Sequence, residues 1–195
     1  MRSKLVHETP STVAQSSVYK SMQENPDEKL LDDRPAPDAG IPPISLLYSG
    51  FGHFIDVCSG RRTAPGHDQI DRPRLRKAVD TFANRMCDFF QKEVDRRDAG
   101  LDCLNEIYRS RNGPTPFPEL LPSSRSTWTS DGHFTSAHHG ISHVVEFKNE
   151  DTGNKSNAKV QAAAYTAQSH TELPEELRPL FKGWRLPCLG MTVVG

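Results

Sequence analysis

The chain has 195 residues, a hydrophobic share of 35% and a formal charge of −1. This length suits one domain with a tail, and a near-neutral charge excludes binding to nucleic acid or acidic membranes through global electrostatics alone. No apolar run approaches the roughly 20 residues that span a bilayer, and the four cysteines form no CxxC pair. We therefore expect an intracellular protein, of the cytoplasm or nucleus, with no membrane partner.

The first 43 residues are rich in polar side chains and end in a proline-rich stretch. Such a composition offers little apolar surface to offset the entropy of ordering. We therefore expect residues 1–43 to form a disordered or loosely attached tail. Residues 44–72 carry more apolar side chains and are expected to dock on a core, although Gly50 and Gly52 interrupt any long helix there. The folded domain is expected over residues 73–195.

Helices are predicted at the start of this domain. Apolar residues recur from Leu75 to Phe90 at the spacing of one helical face, and the series includes Phe89. A second helical pattern continues to the stop at Asn112. Gly100 lies between the two patterns and is expected to cap or bend the helical stretch.

Strands are predicted next. Ser126–Thr129 consists of β-prone residues, and the pair Asp131–Gly132 is typical of a hairpin turn. Ile141–Lys148 is the clearest strand, because branched and aromatic residues fill it between polar flanks.

The rest of the chain is predicted to form helices and one more strand. Residues 157–169 are rich in alanine and favour a helix. A short helix near 174–184 and a buried strand over 186–194 follow. Because the chain stops on that strand, we expect the domain to be truncated at its C-terminus. The order of helix, strands, helix and strand predicts an α/β (α+β) fold.

The clearest strand contains charged residues that point to chemistry. Glu146 and Lys148 are two positions apart and so share one face of the strand, while Asp131 precedes it. A buried charge is costly unless it is paired or bound to a cation. Two carboxylates and an amine suit a Mg²⁺ or Mn²⁺ site for phosphodiester hydrolysis, with the Phe147 carbonyl as a further ligand. The alternatives are an exposed ion pair on an edge strand and a simple turn role for Asp131.

The pattern of Asp131 followed by Glu146-Phe147-Lys148, within this order of elements, resembles the PD-(D/E)xK nuclease superfamily. The resemblance implies a restriction-endonuclease-like αβββαβ core with a mixed central sheet. It also implies that Asp131 and Glu146 bind Mg²⁺ while Lys148 is the catalytic amine. Ser130 stands where the name of the family has proline.

Two further features extend the resemblance. Gln161-Ala-Ala-Ala-Tyr165 is similar to the QxxxY element of the RecB-like branch, which implies that Gln161 and Tyr165 contact DNA. Many members of the superfamily also use a glutamate from a preceding helix as a metal ligand. Glu93 and Glu106 are both candidates for that position, and Glu93 is preferred.

A narrower resemblance concerns VVEFKNEDTG and the C-terminal WRLPCLGMTVVG. These stretches are similar to nuclease-like modules of fungal Crinkler-type proteins, which are often found upstream of a kinase-like domain. The implied function is Mg²⁺-dependent hydrolysis of nucleic acid, with DNA favoured over RNA. The alternative is a non-catalytic interaction or regulatory module at the N-terminal side of a fungal kinase-like protein.

Overall fold

The computed structural model describes residues 3–30, 49–63, 69–112, 119–124, 129–135, 141–149, 157–169, 171, 175–176 and 188–194. Within these ranges the chain forms seven helices and four strands. The helices are α1 Ser3–His7, α2 Pro10–Val13, α3 Ser16–Glu24, α4 Ser49–Cys58, α5 Arg72–Met86, α6 Glu93–Arg109 and α7 Ala158–Ser169. The strands are β1 Leu121–Ser124, β2 Thr129–Thr135, β3 Ile141–Lys148 and β4 Leu189–Val194.

The four strands form one mixed sheet in the order β1-β2-β3-β4. The first three pair antiparallel, with Gly132 opposite Val145. β4 pairs parallel to β3, with Val193 opposite Phe147. A parallel pair needs a crossover connection, and α7 lies between these two strands in the chain. The predicted α/β class with a mixed sheet is therefore confirmed.

β3 has the bounds predicted for the clearest strand and lies inside the sheet, with both of its faces covered. On one face, Val145 and Phe147 belong to a core cluster that includes residues of α6. On the other face, Val144 packs against α7. Because side chains alternate along a strand, Glu146 shares the α7 face with Val144. A strand buried on both faces explains the nearly continuous apolar run in the sequence.

α5 and α6 confirm the two predicted helices, but with different ends. Asp71 caps α5, since its side chain accepts a hydrogen bond from the Arg74 N–H at 3.0 Å. α5 ends at Met86, so Phe90 reaches the core from the connection that follows and not from a helix face. Phe89, placed on the same helical face by its spacing, is 89% exposed. The periodicity of the sequence did not reveal that the helix ends before these two residues.

Gly100 lies inside α6, so the prediction that it caps the helical stretch is wrong. A Cβ at this position would overlap the Phe147 ring of β3, with Cζ only 2.6 Å away. The glycine therefore allows α6 to pack directly on the sheet, in contact with β3.

Residues 3–30 form three helices that pack against α7, so the predicted disordered or loosely attached tail is wrong for these residues. Their apolar side chains are few but lie together, and Val13 and Met22 are completely buried in a cluster with Val160 of α7. Composition averages over a segment and therefore misses such a cluster. The remainder of the predicted tail, 31–43, lies outside the described residues.

Among the described residues of the segment 44–72, docking is seen near its end, where Ile70 forms a β-bridge with Arg111. α4 has no buried residue and includes Gly50 in its first turn, so this glycine does not prevent a helix. The predicted helix near 174–184 lies almost wholly outside the described residues, as does most of the first predicted strand. Among the described helices, none combines the length and the hydropathy that a membrane span requires.

Candidate functional site

Asp131 lies within β2, one residue before Gly132, which pairs with Val145 of β3. The antiparallel register places Asp131 beside Glu146 on the neighbouring strand. The Asp131 Oδ2 accepts a hydrogen bond from the Phe147 backbone N–H at 2.8 Å. The aspartate is thus fixed against β3 by its own carboxylate.

The prediction of a hairpin turn at Asp131–Gly132 is wrong, because both residues lie inside a strand. Asp-Gly favours turns where the backbone needs a positive φ, and Gly132 does not have one. A Cβ at Gly132 would instead meet the Leu101 Cδ2 of α6 at 2.5 Å. This glycine makes room for a helix on one face of the sheet, while Asp131 points to the other face.

Glu146 is a carboxylate in the interior, only 1% exposed. Its Oε1 lies 2.8 Å from the Lys148 Nζ, whereas its Oε2 is buried and has no hydrogen-bond partner among the described residues. Burial, and then the charge of Asp131, raise the pKa of Glu146 to about 8. Burial also raises the pKa of Asp131, partly offset by its bond to the Phe147 N–H. The alternative of an exposed ion pair on an edge strand is therefore wrong.

Lys148 connects the end of β3 to the start of α6. Its Nζ lies 2.8 Å from the Glu146 Oε1 and 2.9 Å from the Glu93 Oε1. Burial acts to lower the pKa of Lys148, but the neighbouring carboxylates outweigh it and the pKa is raised. The ammonium therefore stays charged at neutral pH. Of the two glutamates considered from sequence, Glu93 reaches the site, while Glu106 pairs with two arginines near the other end of α6.

Gln161 and Tyr165 lie one helical turn apart on α7, on the side that covers this face of the sheet. The Gln161 Nε2 donates to the Tyr165 hydroxyl at 3.0 Å, and both side chains are buried. Burial, and then the Glu146 charge, raise the pKa of Tyr165 to about 12. The pair therefore lies in the interior near Glu146, and the predicted contact with DNA stays a prediction that its burial does not favour.

Arg96 and Asn149 adjoin the site, and neither was among the site residues predicted from the sequence. Arg96 is 3% exposed, and its Nε donates to the Asn149 Oδ1 at 2.9 Å. Their positions in the sequence could have indicated that they lie near the site, because Asn149 directly follows Lys148 and Arg96 lies one helical turn after Glu93. An arginine within a run of charges is typical of a solvated helix face. The sequence pattern therefore does not predict that Arg96 is buried.

The oxygen donors at this site decide which metal ions could bind there. No group of three or more His, Cys, Asp or Glu side chains in the described part of the chain is arranged to hold a metal. Asp131 and Glu146 supply two carboxylates, and Glu93 is bonded to Lys148. Mg²⁺ is usually held by one or two carboxylates together with waters and substrate phosphates. Within the described ranges, one Glu146 oxygen has no hydrogen-bond partner. Two carboxylates of this kind fit such an ion better than zinc, which takes three or four protein ligands.

Comparisons of the chain with protein-family models, with curated proteins and with solved structures found no match. The relationship to PD-(D/E)xK nucleases thus stays a prediction from the sequence. Ser130, which stands where the name of that family has proline, is completely buried in β2.

Proposed function

We propose that this protein hydrolyses phosphodiester bonds of nucleic acid, with DNA as the favoured substrate, in a reaction that depends on Mg²⁺ or Mn²⁺. The proposal depends above all on the buried Glu146 carboxylate. One of its oxygens lies beside the Lys148 ammonium, and the other has no hydrogen-bond partner among the residues that the structure describes. Burial, and then the charge of the neighbouring Asp131 carboxylate, raises the pKa of Glu146. Neighbouring buried carboxylates are destabilising unless positive charge offsets them. Lys148 supplies one such charge, and a divalent ion is suited to supply the rest.

The ion would be held by the Oε2 of Glu146, by the Asp131 oxygen that is not bonded to Phe147, and by the Phe147 carbonyl. When bound, it would neutralise charge on the scissile phosphate and lower the pKa of a water molecule. Glu93, predicted from sequence as a further ligand, supports the site through its bond to Lys148. The same donors suit Mn²⁺, because carboxylate and carbonyl oxygens suit both ions.

Lys148 is the group that would act directly on the substrate. Glu146 and Glu93 hold its ammonium from two sides, so its position is defined before a substrate arrives. It would donate a hydrogen bond to a phosphate oxygen and orient the attacking water, which stabilises charge that develops in the transition state. Glu146 contributes twice, since it holds both the ammonium and the metal ion.

The order of elements supports a core of the PD-(D/E)xK type, because two helices, three antiparallel strands, a helix and a parallel strand follow one another in the described ranges. The fungal Crinkler-like, kinase-associated setting belongs to the same proposal, with a kinase-like domain as partner and a location in the cytoplasm or nucleus. Its support is the VVEFKN stretch, whose Glu146 and Lys148 lie at the site.

A second candidate is a non-catalytic interaction or regulatory module that keeps the same fold. The burial of Gln161 and Tyr165 favours it, because side chains expected to contact DNA lie in the interior. In such a module the ion pairs of Lys148 would serve stability alone.

A cleavage assay separates the two candidates. The purified chain is incubated with double-stranded DNA, single-stranded DNA or RNA, in Mg²⁺, Mn²⁺ or EDTA. We expect cleavage of DNA that requires the metal and falls by roughly a hundredfold or more in Lys148→Ala and in Glu146→Gln. Lys92→Ala is the matched control, because Lys92 is an exposed lysine next to Glu93 and should leave the rate unchanged.

The double variant Glu146→Gln/Lys148→Met tests whether loss of cleavage reflects loss of folding. It removes both charges of the buried pair, and replacement of both partners is often tolerated. We expect it to fold and to be inactive. Cleavage that persists in Lys148→Ala would contradict the residue assignment. A folded wild-type chain that neither cleaves any of the three substrates nor binds either metal would favour the non-catalytic module.

A further inference from the structure

Arg96 has an unusual environment for a charged side chain. It lies in the first turns of α6 and is 3% exposed. Its Nη1 donates to the Met86 carbonyl at 2.6 Å, and its Nη2 donates to the Asp88 carbonyl at 3.2 Å. The guanidinium also lies 4.7 Å from the centroid of the Phe90 ring. Arg96 thus contacts the last residue of α5 and two residues of the connection that leads to α6.

Asn149 links this connection to the sheet. Its Oδ1 accepts from the Arg96 Nε at 2.9 Å, and its Nδ2 donates to the Phe90 carbonyl at 3.0 Å. Asn149 directly follows Lys148, and Arg96 lies one turn after Glu93. Two links therefore run in parallel between the start of α6 and the end of β3: the ion pair of Glu93 with Lys148 and the hydrogen bond of Arg96 with Asn149.

The chemistry of the second link suits positioning better than simple packing. An apolar side chain would fill the same volume without the cost of burying a cation. A guanidinium instead offers five donors in a fixed planar fork, and three of its N–H groups here reach three separate oxygens. Such a side chain defines the distance and the orientation between the segments that it bonds.

We propose that Arg96 and Asn149 are positioning residues that hold the first turn of α6, and with it Glu93, against Lys148 at the end of β3. The inference rests on the proposed function only for the catalytic importance of Lys148, because the positioning is a property of the folded chain. Without this link, the Glu93 carboxylate would be free to leave the ammonium, as about half of its surface is exposed.

The test is a double-mutant cycle that needs neither metal nor substrate. The free energy of unfolding is measured in EDTA for the wild type, Glu93→Gln, Lys148→Met and the double variant, which isolates the coupling between Glu93 and Lys148. The cycle is then repeated in an Asn149→Ala background and in an Arg96→Lys background. We expect a favourable coupling in the otherwise wild-type chain and its loss in both backgrounds.

Asn105→Ala is the matched control background. Asn105 also lies on α6 and makes two hydrogen bonds to the backbone of Leu120, at 3.0 and 2.8 Å, but near the other end of the helix. It should lower stability in the same way as Asn149→Ala and leave the coupling intact. A merely structural role for Arg96 and Asn149 predicts the same coupling in all of these backgrounds.

The unfolding measurements decide whether Arg96 and Asn149 are positioning residues. Coupling that survives in the Asn149→Ala and Arg96→Lys backgrounds overturns the positioning role, and so does the absence of coupling in the wild type.

Mn²⁺ binding provides a second readout, since loss of a supporting residue lowers metal affinity by about tenfold or more. We expect this loss in Asn149→Ala and not in Asn105→Ala. A wild-type chain that binds no Mn²⁺ overturns the proposed function, while the cycle in EDTA still decides the inference.

Discussion

The Asp131 carboxylate accepts a hydrogen bond from the backbone N–H of Phe147 at 2.8 Å. A side-chain oxygen of β2 therefore accepts a hydrogen bond from the backbone of β3. This bond fixes the aspartate beside Glu146 and occupies Oδ2 only. The arrangement separates two tasks for one residue, because one oxygen stabilises the sheet while the proposed chemistry uses the other.

Two substitutions at Asp131 separate these tasks. Asp131→Ala leaves the Phe147 N–H without its acceptor, and we expect it to lower the free energy of unfolding by about 1–3 kcal/mol. Asp131→Asn keeps an oxygen acceptor and removes the negative charge. Because burial raises the pKa of Asp131, that charge is unfavourable in the folded state, and the stability of the variant should equal or exceed that of the wild type. Both should lose metal-dependent cleavage. Urea unfolding in EDTA, beside the cleavage assay, measures both effects; equal destabilisation by Asn and Ala would contradict the role of the bond.

The raised pKa of Glu146 predicts how stability depends on pH. In the folded chain this pKa is about 8, whereas an unfolded glutamate titrates near its ordinary value of about 4.3. Between these values the folded state holds a proton that the unfolded state has lost. Stability is therefore highest below the unfolded pKa and falls as the pH rises towards 8, by up to about 1.4 kcal/mol per pH unit from this group.

Urea midpoints measured from pH 5 to pH 8 in EDTA check this prediction. We expect the midpoint to fall over this range in the wild type, and Glu146→Gln to flatten the fall. Glu106→Gln is the control, because Glu106 is an exposed carboxylate of α6 whose pKa is lowered by bonds to Arg109 and Arg74. It should leave the fall unchanged. A wild-type profile that rises from pH 5 to pH 8 would sink the prediction.

The sequence predicted the parts of the site that depend on local pattern. The period of two along a strand put Glu146 and Lys148 on one face, and the structure keeps them there. The bounds of β3 were also predictable, because a run of apolar residues between polar flanks is a local signal. Local pattern could not predict whether Glu146 is exposed or buried, because its burial depends on α7, which covers that face only in the folded chain.

Two of the errors have a common physical cause, which is contact between segments far apart in the chain. Gly132 leaves room for Leu101 of α6, whereas the sequence alone shows only an Asp-Gly turn signal. Gly100 leaves room for the Phe147 ring in the same way. Periodicity also says nothing about where a helix stops, so Phe89 was placed on a buried face although it is exposed.

Gly100 offers a direct test of the close approach between α6 and β3. In Gly100→Ala the new methyl group would overlap the Phe147 ring, and we expect a loss of about 1–3 kcal/mol in the free energy of unfolding. Gly50→Ala is the matched control, since Gly50 is also helical but a Cβ there meets nothing within 4 Å. It should be neutral, or stabilising by up to about 1 kcal/mol. Thermal unfolding of both variants decides the matter, and equal effects would contradict the packing of α6 on Phe147.

The N-terminal helices provide the last prediction, because both ends of α7 are bonded to them. The Asn157 N–H donates to the Ala14 carbonyl at 2.9 Å, and the Gln168 Nε2 donates to the Leu5 carbonyl at 3.2 Å. Met22 is completely buried in the cluster between these helices and α7. From these contacts we expect the N-terminal helices to unfold together with α7.

Met22→Ala should therefore lower the free energy of unfolding by about 2–5 kcal/mol, as expected for truncation of a buried large side chain. Lys20→Ala, at an exposed position of the same helix, should change it by less than about 0.5 kcal/mol. Chemical denaturation followed by the fluorescence of the chain measures both. If residues 3–30 were a loosely attached tail, Met22→Ala would be as neutral as Lys20→Ala, and α7 would have to be held over Glu146 by the sheet alone.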